Sequence, residues 1–599
     1  MPHEQHRTAA VSVAARWSWR DVAVAGAIGM VAAVVRANAL HGGLIWDDRF
    51  IVSTLTRAGG LSLRMLFQPA PNVPGLRADY YRPLELLLYG VGWRMGAKDP
   101  LAYHALVVAL HAIVASALTL YATALFRRME RPIVAAWWAG LAFAVMPIHA
   151  QSVAWVVGCT DVICAGFLVG AATAGLASSD LMCATGTAAG VLGALLAKES
   201  ALPALVFLPI QAALVSERPR RRRRVTLVCI ACALAAILYL IVRLVSGFPI
   251  SGPMPASKAD SFFPGPLSLL AMIGWYAARL VIPVMPVGEL FSVPGGVVPI
   301  ALGVVAAVGL VVLGVYAWRR GDPVALIGGA WLVLFLAPAL TPHATIEFPL
   351  AIHRLYIPSV GWVILVADWG VSAAIRLGHA RALSVVAAAV LTVLAVLSWR
   401  GNTVWRDEEH FWTAMVALNP GRARPLTYLG EAYVRVGNVR AALDTFRVAS
   451  EGQGTATDRA RPLELNANLL LEQGDVAGAC ALADRALALL PDEVRVQRNA
   501  AICRAGQGVN AAAGGPATGG TAASGADATA ILLDARKRLE QLVSALPNDA
   551  AIHRHLGEVL VSLGDLVSGR QHLEQAVALS PDSDDGRLAA ALISRLPRR

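Results

Sequence analysis

The sequence predicts an all-α protein in which a polytopic α-helical membrane domain precedes a soluble α-helical domain. The chain has 599 residues, of which 56% are apolar and only 15% are charged. Soluble chains are typically about 45–50% apolar and about 25% charged. Long apolar runs fill the chain up to about residue 400, and a helical alternation of polar and apolar residues follows. This composition excludes a disordered protein, a fibrous repeat and an ordinary soluble enzyme.

Eleven apolar runs in the first part are predicted to span a membrane, since a span needs roughly 20 apolar residues. They lie at 22–40, 101–126, 133–148, 158–177, 184–197, 200–216, 225–245, 297–318, 324–340, 356–376 and 383–399. Two further runs, 84–95 and 267–286, are short or interrupted by Arg and Pro. We place these two in the membrane interface.

The arginines orient the spans, because positively charged loops stay in the cytoplasm. With eleven spans, every cluster falls on the cytoplasmic side: Arg127, Arg128 and Arg131; Arg218 to Arg224; Arg319 and Arg320; Arg376 and Arg381. The N-terminus carries no signal-peptide cleavage pattern, so we expect an uncleaved first span with a cytoplasmic N-terminus. The C-terminal domain then lies outside the cytoplasm.

The net charge of +11 comes mainly from these arginines. Their position at the ends of apolar runs indicates membrane topology and contact with the lipid bilayer, and not nucleic-acid binding. Seven cysteines show no paired framework and no CxxC spacing. Neither a disulfide nor a zinc site is therefore predicted.

The C-terminal part, 401–599, contains helical hairpins that are typical of tetratricopeptide repeats. Each hairpin turns at a Gly followed by Asn or Asp: Gly437–Asn438, Gly474–Asp475 and Gly564–Asp565. The first two turns lie 37 residues apart, close to the period of about 34 of that repeat. A generic helical bundle is the alternative. Residues 506–528 are rich in Gly, Ala, Thr and Ser and predict a flexible insertion.

Unusual polar residues collect in the loops of domain 1–400 that face away from the cytoplasm. Ionisable groups at membrane depth are costly and are functional candidates by default. Asp47 and Asp48 could supply a general base or hold a divalent cation such as Mg or Mn. Arg82, Lys198 and Arg354 could bind phosphate. The alternative for each residue alone is a marker of the interface or a snorkelling side chain, but the convergence of four loops on one face favours a site.

Two histidines lie within the second predicted span. His104 and His111 are seven residues apart, so both lie on one helix face. A polar packing contact between helices is favoured over a ligand role for this pair. His104 is the better candidate for a functional role, because it is nearer the outer end of the span.

Several motifs, in this order, resemble the GT-C superfamily of polytopic glycosyltransferases. The resemblance is strongest to the branch with C-terminal tetratricopeptide repeats, the TMTC-type protein O-mannosyltransferases and their bacterial relatives. The matching strings are WDD at 46–48, YRPL at 81–84, YH at 103–104, PIHAQSVAWVVG at 147–158 with Asp161, KES at 198–200, RLYIPSVG at 354–361 and WRDEEHFWTAMVALNP at 405–420.

This resemblance implies an inverting transfer of mannose or another hexose from a polyprenyl-phosphate-linked sugar, on the non-cytoplasmic face. It implies that Asp47 and Asp48 carry catalysis. The residues expected to bind the donor phosphate or the substrate are Tyr81, Arg82, His104, His149, Asp161, Lys198, Glu199, Arg354 and Tyr356. Two positions depart from the family: His353 replaces a frequent Glu, and Cys159–Thr160 replace a basic residue before Asp161.

Two other classes of protein compete with this interpretation. A non-catalytic membrane scaffold would use the repeats to hold partner proteins, but it gives no reason for the outward polar groups. A transporter or flippase would need charges along the span interiors, which are nearly free of them. We therefore predict an enzyme that binds its protein acceptor through the repeats.

Overall fold

The computed structural model describes residues 17–67, 80–248, 265–283, 288–340, 349–514, 516–518, 521–522 and 525–597. The chain divides into two compact units, 1–418 and 419–599. Residues 401–418, which the sequence analysis grouped with the repeats, belong to the first unit. The all-α fold class is confirmed, since the described strands are only two or three residues long.

The first unit contains seventeen of the described α-helices. They are α1 Trp19–Val35, α2 Asp47–Ala58, α3 Leu63–Phe67, α4 Pro83–Gly96, α5 Pro100–Arg128, α6 Ile133–Val145, α7 Ala150–Ala154, α8 Cys159–Gly175, α9 Asp180–Ala197, α10 Ala204–Val215, α11 Arg218–Val245, α12 Pro266–Val281, α13 Val297–Arg320, α14 Pro323–Leu340, α15 Pro358–Arg376, α16 Ala380–Asn402 and α17 Glu408–Leu418. Two short strands, β1 Glu289–Leu290 and β2 Leu350–Ala351, pair antiparallel.

Among the described helices, eight are long and apolar enough to cross a membrane, and the first unit is a membrane domain. The number becomes nine if α6 and the segment Pro147–Ala154, which meet at 49°, form one broken span. The remaining two of the eleven predicted spans are shorter helices, α1 with 17 residues and α10 with 12. The predicted count of eleven is therefore higher than the described helices support by length. The two interfacial runs form α4 and α12, of 14 and 16 residues, and positions 284–287 of the second run lie outside the described residues.

The spans differ in how much protein covers them. In α13 and α16 only 6% of the apolar segment is buried inside the structure. Helix α5, in contrast, packs against α1, α6 and α8 and is half buried. Apolar side chains that protein does not cover are stable in a bilayer, so α13 and α16 lie at the lipid boundary.

Arginines at one end of the bundle meet acidic partners from neighbouring helices. Arg127 at the end of α5 pairs with Asp21 at the start of α1, at 3.0 Å. Arg131 pairs with Asp322 at 2.6 Å, and Arg224 pairs with Asp180 at 2.8 Å. The contact of Arg131 with Asp322, which follows Arg319 and Arg320, brings two of the predicted arginine loops together.

The second unit contains nine described helices, which form consecutive hairpins. They are α18 Ala423–Arg435, α19 Val439–Glu451, α20 Ala456–Glu472, α21 Val476–Leu489, α22 Val494–Ala512, α23 Gly525–Ala545, α24 Ala550–Ser562, α25 Leu566–Leu579 and α26 Asp584–Arg595. The strands β3 Pro516–Thr518 and β4 Thr521–Ala522 lie between α22 and α23.

The predicted hairpin turns have the geometry that their sequence requires. Gly437, Gly474 and Gly564 adopt φ of 77°, 83° and 89°, a region that favours glycine. The next residue caps the second helix in each case. Asn438 and Asp475, for example, accept hydrogen bonds from the backbone N–H three residues later, at 3.2 and 2.8 Å. Together with the paired helices, these turns identify tetratricopeptide repeats.

The helices of the first repeat approach so closely that only a glycine fits at position 430. A Cβ on Gly430 of α18 would lie 2.4 Å from the ring of Phe446 on α19. Gly557 of α24 meets Leu573 of α25 in the same way, at 2.7 Å. The two hairpins therefore pack a glycine against a large apolar residue.

The structure corrects the predicted insertion at 506–528. Helix α22 continues to Ala512 and α23 begins at Gly525, so helices occupy both ends of that range. The sequence analysis therefore missed a hairpin, α22–α23, because its connection lacks a Gly–Asx turn. Positions 515, 519–520 and 523–524 lie outside the described residues.

The cysteines of the second unit also correct a prediction. Cys480 of α21 and Cys503 of α22 form a disulfide between consecutive helices. The sequence analysis predicted none, because 23 residues separate the two and no second pair accompanies them. Five other cysteines in the described residues are free.

Candidate active site

The two aspartates of the WDD motif begin helix α2. Trp46, the residue before them, has φ of 50°, a left-handed value that costs a non-glycine residue about 1–3 kcal/mol. This turn places both carboxylates in the first turn of α2, where the positive end of the helix dipole favours negative charge. Strain of this kind is often retained at functional sites.

Asp48 is fully buried and accepts three hydrogen bonds. Its Oδ1 accepts from the Tyr89 hydroxyl at 2.6 Å and from the backbone N–H of Val157 at 2.9 Å. Its Oδ2 accepts from the backbone N–H of Ile45 at 3.3 Å. Burial raises the pKa of Asp48 to about 7, although these hydrogen bonds oppose the change. Asp48 therefore joins α2, α4 and the loop before α8.

Asp47 has a different environment from its neighbour. Its side chain is half-buried, whereas that of Asp48 is enclosed. Its charge raises the pKa of both Asp48 and Glu85, which places it close to each. Of the two carboxylates, Asp47 is the more exposed.

The groups around Asp47 and Asp48 decide whether the pair could hold a divalent cation. Both oxygens of Asp48 already accept hydrogen bonds. In the described part of the chain, no three or more His, Cys, Asp or Glu side chains are grouped as metal ligands. The donor set does not fit a cation held by Asp47 and Asp48, and no step of the mechanism uses one.

Two ion pairs connect the predicted phosphate-binding residues to carboxylates. Arg82 donates from Nε and Nη2 to Glu199, both at 3.1 Å, and Arg243 approaches the same carboxylate at 3.4 Å. The two guanidinium groups hold the pKa of Glu199 below its usual value, even though burial acts in the opposite direction. Lys198 pairs with Asp161 at 2.7 Å. The YRPL motif at 81–84, the KES motif at 198–200 and Asp161 are thus adjacent.

His353 lies among the three predicted phosphate-binding cations. Its pKa is well below the usual value because of burial and the charges of Lys198, Arg354 and Arg82. The imidazole is therefore neutral, and it adds no positive charge to the site. Arg354 itself donates to the backbone carbonyl of Pro349 at 2.9 Å.

An acidic residue lies close to His353, the position at which the resembled family often has Glu. Glu289 Oε1 lies 3.9 Å from His353 Nδ1 and accepts a hydrogen bond of 2.6 Å from Gln151. The β1–β2 pair sets Glu289 opposite Ala351, two residues before His353. The site therefore keeps an acidic group beside this histidine.

Other predicted site residues form a polar cluster inside the helix bundle. The Tyr356 hydroxyl and His111 Nδ1 are 2.8 Å apart, and His149 Nε2 lies 2.9 Å from the Ser359 hydroxyl. Arg36, fully buried, donates to Met146 O at 2.6 Å and to Asn402 at 2.8 Å. We interpret His149 and Tyr356 as positioning residues, because their ring contacts are with each other and with this cluster.

Two further predicted residues pack against structural neighbours. His104 is buried and lies 3.3 Å from the Gly43 carbonyl, just before the WDD motif. Tyr81 is buried against the rings of Phe248 and Tyr239. Both therefore support the loops that carry the charged groups.

An aromatic cluster links the WDD motif to the segment after α16. Trp46 stacks on Trp155 at 5.4 Å and meets Trp412 edge-on at the same distance. The Trp46 backbone N–H donates to Glu408 at 3.0 Å, and Arg49 pairs with that carboxylate at 2.7 Å. The segment around α17 is thus part of the support for the aspartate pair.

Sequence reasoning missed several groups at this site. They are Glu85, Tyr89, Arg243 and Glu289. Glu85 directly follows the YRPL motif, and Tyr89 lies one helical turn further on, so the period of α4 was the available signal. No local pattern marks Arg243 or Glu289.

Comparison with curated proteins finds relatives that are named protein O-mannosyl-transferases. Tmtc1 of Drosophila melanogaster is 31% identical over 155 residues, 25% of this chain and 18% of that protein. F38B6.6 of Caenorhabditis elegans is 23% identical, with coverages of 59% and 50%. Human TMTC4 is 24% identical, with coverages of 61% and 56%. The chain thus spans at most 56% of the length of these three relatives. The predicted resemblance to TMTC-type proteins is confirmed, at low identity.

No protein-family profile matches the chain. Solved structures that are similar include YrrB, described as a TPR protein with an unusual peptide-binding site. It is 16% identical, covers 31% of this chain and 81% of its own, and has a TM-score of 0.24. The Cut9–Hcn1 complex gives 13% identity, coverages of 86% and 94%, and a TM-score of 0.25. These scores are too low to support an argument, and the repeat assignment stands on the hairpins described above.

Proposed function

We propose that this chain is a GT-C-type inverting glycosyltransferase of the membrane. It moves mannose or another hexose from a polyprenyl-phosphate donor to a hydroxyl of an acceptor protein. The observation that carries this proposal is the position of the accessible Asp47 in one cluster with cations suited to phosphate. The names of the curated relatives support the same reaction class.

Asp47 is the general base in this mechanism. It takes the proton of the acceptor hydroxyl, whose oxygen attacks the anomeric carbon and inverts it while the bond from that carbon to the phosphate oxygen breaks. Asp48 does not compete for this proton, because both of its oxygens accept hydrogen bonds inside the protein. Its role is to hold the start of α2 in place. Removal of a general base typically lowers a rate about 100- to 10,000-fold.

The donor phosphate is placed beside Arg82, Lys198 and Arg354. All three lie close enough to His353 to lower its pKa, and His353 itself is neutral. Arg82 and Lys198 are held by Glu199 and Asp161, so their positions are fixed before the donor arrives. Preorganised cations of this kind stabilise the charge that develops on the departing phosphate.

The site is proposed to face away from the cytoplasm of a bacterial inner membrane, with the repeats on the same side. The arginines at the opposite end support this orientation through the positive-inside rule. The disulfide between Cys480 and Cys503 also supports it, since disulfides persist in oxidising compartments. The repeats would then bind the protein acceptor, as helical repeats provide concave binding surfaces.

A non-catalytic scaffold is the second candidate, and the repeat unit favours it. The test uses the purified full chain in lipid vesicles with a panel of polyprenyl-phosphate sugars, and it measures release of polyprenyl phosphate. We expect release with at least one sugar, its loss in Asp47→Asn, and full activity in Asp444→Asn, an exposed aspartate of the repeats. If no donor yields polyprenyl phosphate, the scaffold is the better description. An Asp47→Asn variant that matches an active wild type would instead remove Asp47 from the mechanism.

A further inference from the structure

Glu85 occupies the face of α4 that points to the aspartate pair. It is the third residue of the helix, and Tyr89 follows one turn later on the same face. The Tyr89 hydroxyl reaches Asp48 at 2.6 Å. Glu85 therefore lies on the same face of α4 as Tyr89, one turn nearer to the start of the helix.

The carboxyl group of Glu85 is buried without a partner. Its side chain is 9% exposed, and none of the described residues gives it a hydrogen bond or an ion pair. Three acidic groups nearby are engaged: Glu199 with Arg82, Asp161 with Lys198, and Asp48 with Tyr89. Glu85 differs from these three carboxylates.

A capping role does not explain this residue. A glutamate at the third helical position often accepts a hydrogen bond from the backbone N–H of the N-cap residue. The N-cap of α4 is Arg82, and no side-chain capping bond is present at this helix start. The Arg82 side chain does not pair with Glu85 either, since both of its hydrogen bonds go to Glu199.

An ionised carboxylate in such a position is costly unless it is paired. Burial raises the pKa of Glu85 to about 7, with Asp47 and Glu199 acting in the same direction and Arg82 and Lys198 acting against it. Two other titratable groups interact electrostatically with Glu85: Tyr89 of its own helix and Cys159 at the start of α8. Tyr89 in turn contacts Asp48 of α2 and Tyr103 of α5. The group thus lies at the border between the neutral acid and the carboxylate.

We propose that Glu85 is the proton donor to the departing phosphate, an inference that rests on the proposed transferase function. Arg82, the N-cap of the same helix, and Lys198 both lie close enough to Glu85 to act on its charge, and both are assigned to that phosphate. A carboxylate there would repel the phosphate, whereas the neutral acid donates a hydrogen bond to it.

The proton and bond changes balance in this scheme. The acceptor oxygen bonds to the anomeric carbon and loses its proton to Asp47. The bond from the anomeric carbon to the phosphate oxygen breaks, and that oxygen receives the proton of Glu85. The products are the glycosylated acceptor and protonated polyprenyl phosphate. Asp47 and Glu85, which influence each other electrostatically, then restore the starting state by moving the proton from Asp47 to Glu85.

The test compares the wild type with Glu85→Gln and Glu85→Asp in the full chain, across a range of pH. Because the acid must be protonated, wild-type kcat should fall as the pH rises above about 7. Glu85→Gln keeps a hydrogen-bond donor but cannot release a proton. We expect it to lower kcat about 100-fold or more, to leave KM nearly unchanged and to lose the alkaline decline. Glu85→Asp should retain part of kcat, and Glu217→Gln, at an exposed glutamate, is the matched control.

A second measurement does not depend on turnover. The infrared difference spectrum of wild type minus Glu85→Gln should show the C=O band of a protonated carboxyl group at about pH 6, and this band should vanish at high pH. Absence of the band would overturn the proposal. So would an unchanged kcat in Glu85→Gln, or a change in KM alone.

Failure of the transferase function itself gives a different pattern. In that case wild type, Glu85→Gln and Asp47→Asn all release no polyprenyl phosphate from any sugar. The inference then falls with the function on which it rests. A wild type that turns over the donor, with an unaffected Glu85→Gln variant, refutes the role of Glu85 alone.

Discussion

The Tyr89 hydroxyl donates a hydrogen bond of 2.6 Å to Asp48, and this contact distinguishes Asp48 from the adjacent Asp47. It fills one acceptor position of Asp48, and two backbone N–H groups fill others. Asp47, beside it in the sequence, remains half-buried. Adjacent residues of one motif thus have different environments, in agreement with the proposal that Asp48 serves structure and Asp47 serves chemistry.

The first prediction concerns these two carboxylates. Asp47→Asn should lower kcat about 100- to 10,000-fold with a smaller loss of melting temperature than Asp48→Asn, because it replaces a half-buried base without changing shape. Asp48→Asn should lower the melting temperature as well, since its amide would face the N–H of Ile45 at a site built for an acceptor. Leaving a buried donor unsatisfied costs about 1–3 kcal/mol. Kinetics and thermal unfolding in detergent measure both effects. Equal stability of the two variants would contradict this division of roles.

The second prediction concerns the pH dependence of stability. Burial raises the pKa of Asp48 to about 7, above its value of about 3.9 in an unfolded chain. The folded state therefore binds more protons between these values, and its stability falls as the pH rises from about 4 to about 7. The contribution is at most about 4 kcal/mol on the scale of 1.4 kcal/mol per pKa unit. Asp48→Asn removes this pH-dependent contribution. The difference in melting temperature between the wild type and this variant should therefore become smaller from pH 5 to pH 8. A gap that stays constant would show that Asp48 does not titrate as described.

The charged motifs of this site could be predicted from the sequence, but not their supporting contacts. Asp47, Arg82 and Lys198 were recognisable because ionisable residues next to apolar runs are rare. Tyr89 and Glu289 were not, since their partners lie 41 and 138 residues away in the chain. Helical periodicity shows which face of a helix is buried, but it does not show which helix packs against that face.

The same limit applies to the boundary between the two units. The change in composition near residue 400 marks the end of the last apolar helix, not the end of the first unit. Trp412 and Glu408 look like part of a polar helical domain in the sequence, yet they contact Trp46. Similarly, the Gly–Asx turns predicted three hairpins, and the hairpin without such a turn was missed.

The third prediction concerns orientation. A cysteine placed at Ser53 or at Gln473 should react with a membrane-impermeant reagent in intact cells with a permeable outer envelope, whereas one at Arg220 should react only after lysis. All three positions are exposed. Cys229, the exposed native cysteine, is first changed to Ala to lower the background. Labelling at 220 together with protection at 53 would reverse the proposed orientation of the whole membrane unit.

The last prediction uses the unit boundary to separate chemistry from acceptor binding. Removal of residues 419–599 should spare donor turnover with a small acceptor, because every proposed catalytic residue lies in the first unit. It should weaken modification of the natural protein acceptor, if the repeats bind it.

Removal of residues 401–599 is the matched comparison. It deletes Glu408 and Trp412, which hold Trp46 through a 3.0 Å hydrogen bond and an edge-on ring contact, so donor turnover should fall as well. Release of polyprenyl phosphate by both truncated proteins, after confirming that each is folded and inserted, measures the difference. Equal activity of the two would show that the segment around α17 does not support the aspartate pair. Loss of donor turnover in the shorter deletion would make the repeats part of the active site.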